Sequence, residues 1–148
     1  MTPTDFIRNT YAGASAMQQN YGIPALAAMA QSAQETGWGS TVVGNMYFGI
    51  KATSGWTGKT QLLWTHEVIN GKSVKVQALF RAYDTAQESF EDYAKFIHGN
   101  PRYKNALQYT NDPEGYIQAV ANAGYATDPN YADNIIAVIN SIKKKLKK

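Results

Sequence analysis

Eleven aspartates and glutamates carry most of the acid–base capacity of this sequence. The element each sits on decides whether it is available for chemistry. Asp5, Asp84, Glu88, Asp112, Glu114 and Asp128 fall at or just inside predicted helix N-termini, where negative charge meets the positive end of the helix dipole. Glu91, Asp92 and Asp133 fall within helices, mostly on polar faces, so local structure accounts for nine of the eleven. Glu35 breaks the rule, because it lies in the last turn of its helix, where the dipole presents partial negative charge. With Trp38 close by and small apolar residues behind it, its carboxyl is expected to be partly desolvated, and both effects raise its pKa. An acid that holds its proton near neutral pH is what general acid catalysis requires.

Spacing alone leaves that reading level with a plainer one, an exposed glutamate at a frayed helix end. Glu67 is the other acid without a structural duty, inside a predicted strand near a hairpin tip, and taken singly it reads most simply as a surface residue. An acid at a helix end facing another on a small β-lobe is, however, an arrangement by which glycosidases flank a glycosidic bond. No Gly-x-Ser-x-Gly elbow, phosphate-binding glycine loop or zinc-type histidine motif competes with it. His66 and His98 lack ligand-like spacing and there are no cysteines, so neither a metal site nor a cofactor is expected.

The elements that position these acids are mainly helical. Thr2, Pro3 and Asp5 form a capping pattern that opens a helix running toward Gln19, and Tyr21-Gly22 ends it. Pro24 opens a second, with Ile23, Leu26, Ala27, Ala30 and Ala33 at helical spacing and a stop at Gly37. Residues 38–58 read as irregular structure of the kind that carries function. Strand-like runs on either side of Asn70-Gly71, over residues 61–80, predict a β-hairpin. Asp84 or Thr85 caps a helix with Phe90, Tyr93, Ala94 and Ile97 on one face, closed by Gly99 and Pro101. Asp112-Pro113 starts another, with Tyr116, Ile117, Val120 and Ala123 inward and Gly124 as stop. Asp128-Pro129 starts the last, carrying Tyr131, Ile135, Val138, Ile139 and Ile142.

At 148 residues, one domain spanning residues 1–148 is expected. Ten tyrosines and three tryptophans suit a cleft that grips sugars. The net charge of +3 gathers in the closing lysines, Lys143 to Lys148, which match the negative end of a helix dipole. Aromatic and basic residues do not interleave, so no nucleic acid partner is expected. The N-terminus lacks the regions of a signal peptide and no segment has the apolar length of a membrane span. Action outside the cytoplasm then implies delivery by other means, or a targeting segment that lies elsewhere.

The run Ala33-Gln34-Glu35-Thr36-Gly37-Trp38-Gly39, followed by Asn45-Met46-Tyr47-Phe48-Gly49-Ile50-Lys51, resembles the Glu-Ser-Gly-Trp-Gly and Asn-x-Phe-Gly-Ile-Lys signatures of glycoside hydrolase family 73. These are bacterial peptidoglycan N-acetylglucosaminidases. The likeness continues through Trp56-Thr57-Gly58, Thr65-His66-Glu67, Phe80-Arg81-Ala82-Tyr83, Asn100-Pro101-Arg102-Tyr103 and Gly124-Tyr125-Ala126-Thr127-Asp128-Pro129 in the same order, over nearly the whole chain. Gln34 and Thr36 depart from the family's more usual apolar residue and serine, without removing a reactive group.

The resemblance implies a mainly α (α+β), lysozyme-like fold, a helical lobe and a small β-hairpin lobe with a cleft between them. It implies Glu35 as general acid, Glu67 as a second catalytic carboxylate and Tyr125 as an active-site tyrosine. Asn45, Tyr47, Trp56, Thr127 and Tyr131 follow as substrate-binding residues, Trp56 and Tyr125 being the better placed to stack on sugar rings. Phe48 and Trp38 read more simply as core, and Arg81 and Arg102 either as surface charges or as buttresses of the cleft. The implied activity is endo-β-N-acetylglucosaminidase, on peptidoglycan glycan strands, by a monomer that needs no membrane partner. A muramidase or lytic transglycosylase on the same scaffold, and a glycan-binding module without activity, are the alternatives. The implied place of action is the cell wall, with a phage lysin, an autolysin domain and an injected toxin with an immunity protein in its cleft as three contexts.

Overall fold

The computed structural model describes residues 2–53 and 55–147, so Lys148 of the basic tail lies outside the described residues. Five α-helices, α1 (Pro3–Tyr21), α2 (Ala25–Thr36), α3 (Ala86–Gly99), α4 (Pro113–Asn122) and α5 (Tyr131–Leu146), pack with a 3-10 helix (Pro101–Gln108). A two-stranded antiparallel hairpin, β1 (Thr60–Ile69) and β2 (Lys72–Arg81), stands between α2 and α3 in the chain.

The helix ends follow their chemistry. Thr2 Oγ1 accepts from the Asp5 amide at 3.1 Å while Asp5 returns the bond to the Thr2 amide, which closes a capping box on α1. Gln18, near the end of α1, accepts from the Ala25 amide at 2.8 Å and so caps α2 from a neighbouring helix. Left-handed Gly22 and Gly37 end the two helices.

The core draws on every helix. The alanines of α2, Ala27, Ala28, Ala30 and Ala33, are buried and leave room for neighbours to approach closely. Phe48 stacks on Tyr93 at 4.1 Å and meets Phe90 edge-on at 5.1 Å, so the long loop after α2 contributes to the core. Gly13 marks a close approach of α1 to α3: a Cβ there would lie 2.9 Å from the Gln87 backbone. Gly13→Ala is therefore expected to cost roughly 1–3 kcal/mol of stability despite its gain in helix propensity, and urea denaturation of the two proteins checks it.

The hairpin turns at Asn70 and Gly71, both at positive φ, with Ile69 paired to Lys72. Its register puts Gln61, Leu63, Thr65 and Glu67 on one face with Phe80, Ala78, Val76 and Val74, the other face being the more exposed. It is rooted in the loop after α2: the Ala52 amide donates to Leu79 O at 2.9 Å and the Arg81 amide to Ile50 O at 3.0 Å.

Two expectations differ in detail. Residues 101–108 form a 3-10 helix where only a stop was expected, with the Tyr103 amide bonded back to Asn100 O at 3.0 Å. The last helix begins at Tyr131 and not at Asp128-Pro129. The Asp128 carboxylate accepts from the Asn130 amide at 2.8 Å, and this local turn replaces the first helical one.

Candidate active site

Two buried serines, Ser32 and Ser89, explain why the loop after α2 holds one shape. Ser32 Oγ donates to Tyr47 O at 2.9 Å and Ser89 Oγ accepts from the Tyr47 amide at 3.1 Å, one serine from α2 and one from α3. Both backbone groups of a buried residue are thereby paired. Two residues further on, the Gly49 backbone N–H faces the carboxyl of Glu35 and favours its ionised form.

Glu35 sits at the end of α2 in a cavity of about 310 Å³, lined also by Gly49, Ile50, Lys51, Thr53, Arg81, Phe96, Tyr103 and Tyr125. The residue is solvent-accessible, as a group that must meet a substrate has to be. Protein atoms nonetheless crowd its carboxyl, and this desolvation pushes the pKa from 4.5 to about 7 against the opposing pull of the Gly49 N–H. Burial, then the nearby Glu35 charge, drives the Tyr125 hydroxyl well above its usual range, and Tyr131 moves the same way for the same first reason. Both phenols therefore stay neutral and can donate hydrogen bonds. A carboxylic acid half-protonated at neutral pH beside two phenols is equipped to hand a proton to an oxygen in the cleft.

The two cations at the cavity are already engaged. Lys51 pairs with Glu67, which reaches it from β1 without itself lining the cavity. Arg81 donates through Nη1 to both oxygens of Asp92 at 3.2 and 3.0 Å and through Nε to Lys51 O at 3.1 Å. Its guanidinium lies 4.6 Å from the Trp56 ring centroid.

The sequence-derived residues thus divide. Glu35 and Tyr125 share the cavity, Tyr131 packs on Tyr125 at 5.9 Å, and Glu67 approaches through Lys51. Tyr47 is buried in the core, and Asn45 braces the loop after α2 by donating to Tyr83 O at 3.1 Å. Trp56 lies outside the Glu35 cavity, its indole N–H donating to Lys59 O, and Thr127 is exposed in the turn before α5. Trp38 packs edge-on against Phe6 at 5.7 Å, and it is Ile50, Phe96, Tyr103 and Tyr125 that surround the acid.

Asp92, read from the sequence as a polar-face acid, is largely buried and binds both Arg81 and Tyr83. Alternation along Arg81-Ala82-Tyr83, which sends the first and third side chains the same way, was the available signal. Gln31, four residues before Glu35 in a helix of small residues, is fully buried as well, with no local sequence signal for it.

A helical body with one proton-holding acid in a tyrosine-lined cleft, and a β-hairpin rooted beside it, has the build of a lysozyme-like glycoside hydrolase. The chain belongs to the glucosaminidase family, whose model, described as mannosyl-glycoprotein endo-beta-N-acetylglucosaminidase, matches residues 11–144. It is 38% identical over 148 aligned residues to the peptidoglycan hydrolase FlgJ of Vibrio parahaemolyticus, covering 96% of this chain and 48% of that protein. Its fold is similar to the glycoside hydrolase domain of Salmonella typhimurium FlgJ, with a TM-score of 0.82 at 35% identity, covering 97% of this chain and 99% of that one. It is also similar to a mutant peptidoglycan hydrolase from Sphingomonas sp. A1, with a TM-score of 0.84 at 37% identity over 97% and 98% of the two chains. The chain spans less than half the length of the FlgJ proteins it matches in Vibrio parahaemolyticus and Pseudomonas aeruginosa, 48% and 36%.

Proposed function

We propose that residues 1–148 work as one catalytic unit that hydrolyses peptidoglycan glycan strands after N-acetylglucosamine, with Glu35 as general acid. The observation that carries this is the Glu35 carboxyl, held in an open cavity at the end of α2 with its pKa raised to about 7. The family supplies the bond type and the FlgJ relatives the polymer.

Glu35 gives its proton to the bridging oxygen as the bond from that oxygen to C1 breaks, and positive charge develops on the sugar ring. Water then adds to C1 and loses a proton. Glu67 serves as the second carboxylate, with Lys51 as its counter-ion, and Tyr125 offers its hydroxyl beside the reacting centre. Asn45 and Tyr47 shape the cleft from behind, whereas Trp56 and Thr127 are outer contacts for neighbouring sugars. The site of action is the cell wall; no helix among the described residues is long and apolar enough to cross a membrane.

Mass spectrometry of fragments released from purified cell walls tests the bond assignment. Fragments ending in reducing N-acetylglucosamine are expected. Reducing muramic acid would mark a muramidase, an anhydro-muramic end a lytic transglycosylase, and tight binding with no fragments a binding module.

A further inference from the structure

Gln31 lies four residues before Glu35 on the same side of α2, and it is fully buried although its amide carries two donors and an acceptor. Its partners fill opposite ends of that amide. The Tyr93 hydroxyl donates to Gln31 Oε1, and Gln31 Nε2 donates to the Tyr131 hydroxyl oxygen at 2.8 Å. The Tyr93 and Tyr116 hydroxyls are 2.6 Å apart.

A phenol hydroxyl has a single hydrogen to donate. Tyr93 spends its own on Gln31, so the bond between the two buried phenols must use that of Tyr116. The chain then runs one way, from Tyr116 to Tyr93 to Gln31 to Tyr131, and each link sets the sense of the next. At its end Tyr131 accepts from Gln31, which obliges its own hydrogen to point elsewhere. Tyr131 packs on Tyr125, a wall of the Glu35 cavity, at 5.9 Å and 35°.

We infer that Gln31, backed by Tyr93 and Tyr116, is a positioning residue that turns the Tyr131 hydroxyl into a hydrogen-bond donor aimed at the Glu35 end of the cleft, where it stabilises the carboxylate left after proton transfer. The inference rests on the assignment of Glu35 as the general acid. The other charged or titratable groups around that carboxyl are Lys51 and Arg81, each paired with its own acid, and the phenols of Tyr103 and Tyr125. The Gly49 N–H is the donor already in place. A second donor from Tyr131 would share the new charge.

Tyr131→Phe deletes the donor and Gln31→Leu deletes what aims it. Each is expected to move the descending limb of the kcat/KM profile on cell walls upward by about one pH unit, because a carboxylate with one donor fewer is a weaker acid form to reach. A roughly tenfold fall in kcat is expected with it. The double variant should be no worse than Tyr131→Phe alone, since both remove one interaction. Tyr93→Phe, which loses a single oxygen, should shift the limb the same way and serves if Gln31→Leu does not fold. A structural role alone would lower the melting temperature, leave the limb in place and add to the effect of Tyr131→Phe; that result overturns the inference. An active parent enzyme killed by Glu35→Gln, with unmoved limbs in the tyrosine variants, rejects the relay and spares the general acid. An inactive parent, or an active Glu35→Gln variant, rejects the function on which the relay depends.

Discussion

Glu35→Gln is expected to release no reducing ends from purified cell walls within the range of the assay, a loss of at least about a hundredfold, while circular dichroism matches the parent. Glutamine keeps the size of the side chain and an acceptor for the Gly49 N–H but has no proton to give at neutral pH. In the parent, activity should fall as pH rises through about 7, where the Glu35 proton leaves. Activity that persists to high pH, or survives in the glutamine variant, would remove Glu35 from the mechanism.

The same substitution has a second consequence with a definite sign. The carboxyl of Glu35 binds its proton more tightly folded than unfolded, because burial raises its folded pKa to about 7 from 4.5. Its contribution to stability is therefore present below the unfolded pKa and is lost as pH climbs through the folded one. Below pH 4.5 the parent and Glu35→Gln should melt alike. Between 4.5 and 7 the variant should gain on the parent and then hold its lead.

Much of this was legible because the signals were local. Asn70-Gly71 between alternating runs specifies a turn whose register then puts every strand residue on a face, and the observed pairing follows it. Glu35 stood out because a carboxylate at a helix C-terminus opposes the dipole. What escaped was set by distant partners. Helical periodicity gives Asp92 a face of α3, but whether that face is wet depends on Arg81 and Tyr83 arriving from the hairpin. Gln31 lies among alanines and finds its partner in Tyr131, 100 residues further on. Trp38 was expected to desolvate Glu35 by nearness in sequence, yet the left-handed turn at Gly37 and Trp38 carries its ring to Phe6. The residues that crowd the acid come from the loop, α3, the 3-10 helix and the segment after α4.

Breaking the Arg81–Asp92 pair should produce the largest loss outside the acid itself. Arg81 ties four parts together: it ends β2, bonds Lys51 O in the loop, grips Asp92 on α3 and covers Trp56. Only 15% and 12% of the two side chains are exposed. Arg81→Ala leaves the Asp92 carboxylate buried with Tyr83 as its remaining donor, at 2.5 Å, and removal of one partner from such a pair typically costs about 3–5 kcal/mol. Replacing Asp92 with asparagine should cost less, since the amide oxygen still accepts from Tyr83. Arg81→Lys should rescue poorly, because one ammonium cannot make the fork to Asp92, the bond to Lys51 O and the stack on Trp56 together. The cleft should register the change as well as the melt. With its root loosened, the hairpin no longer holds Lys51 and Glu67 in place, so kcat/KM on cell walls should fall by about a hundredfold even at temperatures where Arg81→Ala remains folded. Trp56 fluorescence reports whether the stack is lost. Full activity in a folded Arg81→Ala protein would mean that the hairpin finds its place on the glycan without this anchor.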